Sequence, residues 1–485
     1  MVKFLILLCI LALGYALTMK VIPFLFVRLG RLFGFRMQMN PLTQKRISRF
    51  KRIRRGYLSF VILSVLFVTS GFLECMVNHK PLYVRFGDQV AYPAVRDLFR
   101  TYVGGLFTIS DFDRSADFGI PGETNLDYQQ FADCLADPES TFDELVRAKE
   151  ADRVELREEL DELKEELEIL EEDGEEPEDW LVDDLAAVEK EFAAVDTQLN
   201  ELQKTMEMMK SGEAKILWPL YRHSPYKNRL ELAGSAPFPP SLWDQRGIQE
   251  RGVSVSRGTV PLGTDPSGVD VLPQLLYGFR TSVSFALFVL IIGYVVGVLV
   301  GATMGFYGGW TDIGIQRFIE IWAAIPFLFT IMIIAEIVNP SFWMLVVLLI
   351  VFRSWLAITS PIRGEFYREK ARDYVQAAIG SGLGDFKVMT KHILPNSLVP
   401  VVSRAPFSFV NYITALVSLD YLGFGLPPGT PSWGAMLRQG VPHLLQDPHL
   451  VLIPVTFFAL TLLMVVMIGE AVREAFDPKV FSRLR

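Results

Sequence analysis

Seven stretches of the chain each hold about 20 mostly apolar residues, the length that crosses a hydrocarbon core. They begin near Phe4, Tyr57, Val283, Ile313, Phe342, Val399 and Val451. Between the second and the third the periodicity changes. Leu156, Leu160, Leu163, Leu167 and Leu170 recur at alternating spacings of four and three. Beyond Asp173-Gly174-Glu175-Glu176-Pro177 the rhythm resumes at Leu185, Val188, Phe192, Val195, Leu199, Leu202, Met206 and Met209. A heptad rhythm on both sides of a Gly/Pro breaker predicts two antiparallel helices zipped along an a/d seam. At 1.5 Å rise per residue, roughly 28 residues per arm give a rod about 40 Å long. Residues 81–100 and 216–243 flank it with aromatic, β-branched and proline residues, which predicts a small irregular domain carrying the rod.

Composition agrees with a membrane protein. Of 485 residues, 51% are hydrophobic and 21% charged, and the mean hydropathy is +0.30, which excludes an ordinary soluble enzyme. Residues 143–191 hold 23 acidic and 6 basic side chains, so a chain with net charge −8 carries a net positive charge over the remainder. Cys9, Cys75 and Cys134 are odd in number and far apart, and the five histidines are scattered. No disulfide framework, metal site or cofactor is predicted from them.

Charge sets the orientation. Residues 28–55 contain ten Lys/Arg and no acid directly ahead of the span at 57–77, and the positive-inside rule makes that stretch cytoplasmic. The run abuts an apolar span and lacks interleaved aromatics, so topology is favoured over nucleic-acid binding. Residues 78–278 then lie outside, and the later spans alternate. Residues 362–396 return to the cytoplasm, in agreement with Arg363, Arg368, Lys370, Arg372, Lys387 and Lys391, and the tail 473–485 ends inside. Six spans make a self-consistent core. The run at 4–27 is interrupted by Lys20 and resembles a signal peptide, with Gly14-Tyr15-Ala16 as a cleavage-like site. Cleavage there would leave the basic stretch outside. The charge rule therefore favours an extra uncleaved span within residues 1–30, with an interfacial helix or an unused upstream start codon as alternatives.

The segments follow: extra span 1–30, basic cytoplasmic segment 31–56, first core span 57–77, external domain 78–278 with hairpin 143–211, and a helical core 279–485 with cytoplasmic loop 362–396. That loop reads Asp373-Tyr374-Val375-Gln376-Ala377-Ala378-Ile379-Gly380-Ser381-Gly382-Leu383-Gly384-Asp385, then Lys391-His392-Ile393-Leu394-Pro395-Asn396. The pattern predicts a short helix with a small face (Ala377, Ala378), a glycine turn ending in Asp385 as an N-cap, and a second helix closed by Pro395. A plain linker between two spans is the competing reading.

Gln376-Ala377-Ala378, Gly382 and Leu394-Pro395 resemble the EAA loop of ABC importer permeases, with Gln for the family's Glu and His392 where an aliphatic is usual. The resemblance implies that Tyr374, Gln376, Ala377, Ala378, Gly382, Asp385, Leu394 and Pro395 form the coupling element that docks on an ATPase subunit. Gly263, Thr264, Asp265, Gly268 and Asp270, followed by Tyr277-Gly278-Phe279-Arg280, resemble the GTD-xx-GRD-xL…YG-xR signature of dipeptide/oligopeptide permeases, with Val269 for the arginine. Residues 305–312 resemble the family's G-x-x-GG-x-x-D connection, and 419–434 with 469–478 its closing segment. With Arg317-Phe318-Ile319-Glu320-Ile321-Trp322, the similarity is greatest to the Yej branch, permeases associated with microcin C-like peptide uptake.

This resemblance covers residues 40–137 loosely and 218–480 closely; neither the hairpin nor residues 1–35 match. It implies an all-α polytopic protein with a type I ABC importer transmembrane domain, in the bacterial inner membrane. The implied partners are ABC ATPase subunits, a second homologous permease and a periplasmic peptide-binding protein. No G-x-x-x-x-G-K-[ST] loop occurs, so the chain is read as a non-enzymatic subunit whose ATP is hydrolysed elsewhere. Two other classes compete: a proton-coupled transporter using Glu320, Glu336 or Glu470, and an envelope protein that works through its rod.

Overall fold

The computed structural model describes residues 12–21, 41–86, 89–103, 138–172, 179–228, 237–240, 260–338 and 340–476, with single residues 10, 128 and 135. Most of the first apolar run, the basic residues Arg28, Arg31 and Arg36, the breaker 173–177 and the closing Asp477-Pro478 lie outside the described residues. The chain divides into two compact units, Met1–Leu73 with Ser224–Arg485, and Glu74–His223.

The first unit opens with α1 (Pro41–Arg52) and α2 (Arg54–Ser70), which meet at a 94° bend. Polarity switches at the same place. Helix α1 carries Lys45, Arg46, Arg49, Lys51 and Arg52, whereas α2 is apolar beyond Arg55. The bend keeps the charged helix from continuing into an apolar environment, where each cation would be costly.

The second unit is not all helical, which corrects the all-α expectation. Strands β1 (Tyr83–Phe86), β2 (Gln89–Ala91) and β3 (Lys215–Leu217) form an antiparallel sheet with β1 in the centre, Val84 lying opposite both Ala91 and Ile216. Aromatic and β-branched residues suit the pleat, and Val84 is fully buried with Leu202, Met209 and Ala214. The unit also holds α3 (Pro93–Val103) and two long helices, α4 (Pro138–Glu172) and α5 (Asp179–Ser211). Arg153 pairs with Asp196 at 3.0 Å and Lys164 with Glu189 at 2.9 Å, a register that rises along one helix as it falls along the other. They are therefore antiparallel. Val188, Val195, Leu199, Leu202 and Met209 are buried, and Leu156, Leu160, Leu163 and Leu167 are half-buried.

The first unit resumes with α6 (Val271–Tyr307), α7 (Gly309–Ala323), α8 (Phe327–Val338) and α9 (Phe342–Leu349). A π-helical turn at Ile350–Ser354 leads to α10 (Leu356–Lys370), then α11 (Asp373–Gly380), α12 (Val399–Leu422), α13 (Trp433–Gly440) and α14 (His449–Phe476). Among the described residues, α6 and α14 are each long and apolar enough to cross a bilayer. Three bent pairs qualify if each is one span, α1 with α2, α7 with α8 (68°) and α9 through the π turn with α10 (45°). That is up to five by composition, where hydropathy along the chain predicts six. Helix α12 falls short because its 24 residues include Arg404, Asn411 and two interior or first-turn prolines.

Contacts sort the helix termini of this unit to two ends. At one, Arg55 lies 3.9 Å from Glu474, Arg46 sits 5.2 Å over the Phe476 ring, and Asp312 binds Arg363. At the other, Arg280 Nη1 donates to the Ser70 carbonyl at 3.4 Å, Trp433 Nε1 donates to the Leu275 carbonyl at 3.2 Å, and the Phe285 and Phe342 rings are 5.9 Å apart.

Helix α6 joins the π turn and α10 through Gly293, Gly297, Gly301 and Gly305, four residues apart and so on one face. A Cβ at Gly297 would fall 2.4 Å from the Trp355 carbonyl oxygen, one at Gly301 2.4 Å from that of Thr359, and one at Gly305 2.5 Å from Phe366 Cβ. Backbone meets backbone along this seam, as small residues allow between helices in lipid. The Thr359 hydroxyl adds a 3.3 Å hydrogen bond to the Gly297 carbonyl. Helix α10 is thereby held closely along its length, and it carries the 373–396 loop at its end.

Candidate functional site

The loop after α10 is a compact pair of short helices. Val375 and Ala378 of α11, with Val388 and Ile393 beyond the turn, bury themselves against Ile362 and Phe366 of α10 and Phe306 of α6. Leu394 packs half-buried at the margin of this cluster, and Pro395 is exposed just past the second helix. The predicted small face does not exist as one surface. Adjacent helical residues point about 100° apart, so Ala378 lies inside while Ala377 faces solvent.

Gly382 makes the turn at φ +76°, and a Cβ added there would have no neighbour within 4 Å, so the backbone conformation and not space demands glycine. Asp385 is corrected from N-cap to first residue of the following helix: Gly384 occupies the cap position. Gln376 folds back, its amide donating to the Lys370 carbonyl at 2.7 Å, and so caps the end of α10. An ionised glutamate could not donate that bond, which gives the departure from the family's Glu a local reason. The Tyr374 hydroxyl donates to Glu369 Oε2 at 2.7 Å and accepts from Asn396 Nδ2 at 2.9 Å, tying the start of α11 to the end of the loop. Burial, then the bond to Glu369, pushes the Tyr374 phenol above its usual value.

Sequence reasoning missed what faces outward. Phe386 is 78% exposed and Ile379 37% exposed, on either side of the Gly382 turn. Where the loop leaves α10, an open cavity of about 830 Å³ is lined by Arg368, Glu369, Arg372, Asp373, Tyr374 and Asn396, among others. An exposed apolar tip on a loop that also carries a charged hollow fits a partner protein. Sequence reasoning also found no pairing for Arg363, which counts there only toward sidedness. Its Nη2 donates to Asp312 Oδ2 at 2.6 Å, its Nε lies 2.6 Å from Oδ1, and the Tyr367 hydroxyl donates to Oδ2 at 2.6 Å. This latch joins α7 to α10; the connection motif ending in Asp312 is the signal that points to it.

The second predicted group is a helix start. Gly263 adopts φ +82°, where a Cβ would meet the Phe238 carbonyl oxygen at 2.5 Å. Thr264 Oγ1 accepts from the Phe238 amide at 2.9 Å. Asp265 Oδ1 accepts from the amides of Ser267 and Val269, both at 2.9 Å, and Gln274 Nε2 donates to Oδ2 at 2.7 Å. Burial outweighs these bonds and raises the Asp265 carboxyl. Gly268 turns at φ +78°, and Asp270 caps α6 by accepting from the Leu272 amide at 3.0 Å. These residues fix where α6 begins. Of the carboxylates in the competing reading, Glu320 binds Arg317 at 2.6 Å on its own helix, and Glu320, Glu336 and Glu470 are all exposed.

Residues 297–482 match the family described as "Binding-protein-dependent transport system inner membrane component". The chain is 31% identical over 451 residues to the peptidoglycan transport system permease protein YejE of Agrobacterium fabrum, covering 91% of this chain and 94% of that protein. It is 32% identical over 441 residues to the inner membrane ABC transporter permease protein YejE of Escherichia coli, covering 91% and 98%. The oligopeptide transport system permease protein OppC of Lactococcus lactis subsp. cremoris matches at 35% over 226 residues, 46% of this chain and 76% of that protein. These likenesses define the class, a multi-pass inner-membrane permease subunit of an ABC transporter that is itself no enzyme and works with separate ATPase subunits and a substrate-binding protein. Within that class the chain belongs to the YejE family of permeases.

Proposed function

We propose that this permease carries peptides inward by alternating access, paired with a second homologous permease and fed by a periplasmic peptide-binding protein. The observation that carries the coupling half of this reading is the exposed tip Ile379 and Phe386 on a loop locked to α10 by Tyr374 and Gln376. An ATPase seated on that tip pushes on α10, and the glycine seam passes the push to α6 without slack, because close-packed backbones have no room to absorb it. The substrate class rests on the relatives, whose names give oligopeptide for one and peptidoglycan for another.

Six core spans follow if α12 counts with the five composition-based candidates. Its prolines and polar residues then face the interior of the assembly and not lipid. Helices α4 and α5 form a coiled-coil hairpin outside the membrane, where their acidic surfaces are solvated, and the GTD group starts the second core span. The test is reconstitution in proteoliposomes with the ATPase subunits, the second permease and the binding protein. ATP-dependent accumulation of labelled peptide is expected. Accumulation without ATPase subunits, driven by a proton gradient, would overturn the reading.

A further inference from the structure

A cavity of about 840 Å³ lies in the helical unit among the α7–α8 break, the π turn and α12. Among the described residues, Arg353 is the one charged side chain on its wall; Asn411, Thr414 and Ser418 of α12 supply a polar stripe, and Phe327 and Phe329 line the same cavity. A cation in the middle of an apolar span is costly and is kept where it serves a pathway or a ligand. Among the described residues no carboxylate pairs with Arg353; its guanidinium sits 5.5 Å over the Phe327 ring.

Its placement is built by the fold. The π turn Ile350–Ser354 breaks the regular ladder around Arg353, and such turns cluster at functional sites. The Val351 carbonyl accepts from both indoles, Trp355 Nε1 at 2.9 Å and Trp322 Nε1 at 3.0 Å. The Ser354 carbonyl accepts from the Tyr412 hydroxyl at 3.1 Å. The residues on both sides of Arg353 are thus pinned, to α7, to the start of α10 and to α12, and Arg353 stands exposed on the cavity wall without a carboxylate partner among the described residues.

We propose that this cavity is a binding site within the translocation path for the carboxylate of a peptide, with Arg353 as the group that recognises it, and this rests on the peptide-import reading. A guanidinium forks two hydrogen bonds onto a carboxylate, the face of the Phe327 ring supports it from one side at 5.5 Å, and the α12 stripe offers hydroxyl and amide partners that do not select a side chain. A site of this kind grips the feature every linear peptide shares.

The test uses the full transporter in proteoliposomes and in nanodiscs. The probes are a labelled tetra-alanine with a free C-terminus and its C-terminal amide. Arg353→Gln is expected to lower the ratio of acid to amide uptake about tenfold, the scale of one charge-assisted hydrogen bond, with Arg353→Lys in between. In nanodiscs without the binding protein, Arg353→Gln is expected to weaken equilibrium binding of the free acid by a similar factor while the second permease still co-purifies. An unchanged ratio together with unchanged binding overturns the proposal. Loss of the second permease on Arg353→Gln overturns it as well, since Arg353 would then be a subunit contact. If wild-type transporter imports neither probe, the import reading fails, and the nanodisc binding of the free acid still decides the site.

Discussion

Two helix pairs in this molecule solve the same packing problem in opposite ways. Helices α4 and α5 meet through large apolar side chains, Val188, Val195, Leu199 and Leu202 filling the seam, and carry their ion pairs outside. Helices α6 and α10 meet through absent side chains, with Gly297, Gly301 and Gly305 letting the backbones touch. Around the first pair the solvent rewards burying leucine. Within a bilayer it does not, since lipid is as apolar as leucine, and association depends on close contact and on polar groups that find partners. The ion pairs differ accordingly. Lys164 and Glu189 are each 49% exposed, whereas Asp312, at 9% side-chain exposure, is ion-paired and hydrogen-bonded to Arg363. The α4–α5 pair is held by volume, and the helical core by fit.

The largest effect expected from breaking this contrast is Gly297→Leu. Its side chain would overlap Trp355 and Ile358, and overpacking of this kind costs about 3 kcal/mol or more. The purified transporter should lose its folded helical core, read as thermal melting in nanodiscs. A variant melting with the wild type would mean that α6 and α10 do not approach so closely. Next, Arg363→Ala leaves the Asp312 carboxylate enclosed with only the Tyr367 hydroxyl, and about 2 to 3 kcal/mol of stability should go, less than for a fully buried pair because Arg363 is partly exposed. Asp312→Asn in the same background should recover part of the loss by removing the stranded charge.

Leu202→Ala empties a buried site shared by α5 and Val84 and should cost about 2 kcal/mol. Limited proteolysis should show the loss within residues 138–217 while the helical core melts as before. Smallest is the Lys164–Glu189 pair. Alanine at both positions, compared with each single change, should give a coupling of about 0.5 kcal/mol that fades in high salt. A coupling as large as that of Asp312 with Arg363 would erase the distinction between the two regions.

How much of this was legible in the sequence follows the same divide. Large side chains at heptad spacing announce themselves, and among the described residues Leu156, Leu160, Leu163 and Leu167 of α4 are half-buried while Val188, Val195, Leu199, Leu202 and Met209 of α5 are buried. The glycines at 293, 297, 301 and 305 repeat every four residues just as regularly, yet inside an apolar run a missing side chain reads as lower hydropathy and not as a contact. The Gly382 turn was readable because its left-handed backbone singles out glycine. The facing of Ala377 and Ala378 was not, since which side of an eight-residue helix turns inward depends on Phe306, Ile362 and Phe366, from other helices. The sheet went unpredicted for a related reason. Three or four residues per strand are too few for alternation to stand out, and pairing β1 with β3 spans more than a hundred residues.

The central claim is that the 373–396 loop is the seat of an ATPase, and Phe386→Asp tests it most directly. Phe386 is 78% exposed, so a carboxylate there disturbs no packing within the chain. The variant should insert, melt as the wild type does and keep its second permease, yet lose the ATPase subunits on affinity purification and lose ATP-driven peptide uptake. Full retention of the ATPase with uptake at the wild-type rate would contradict the account.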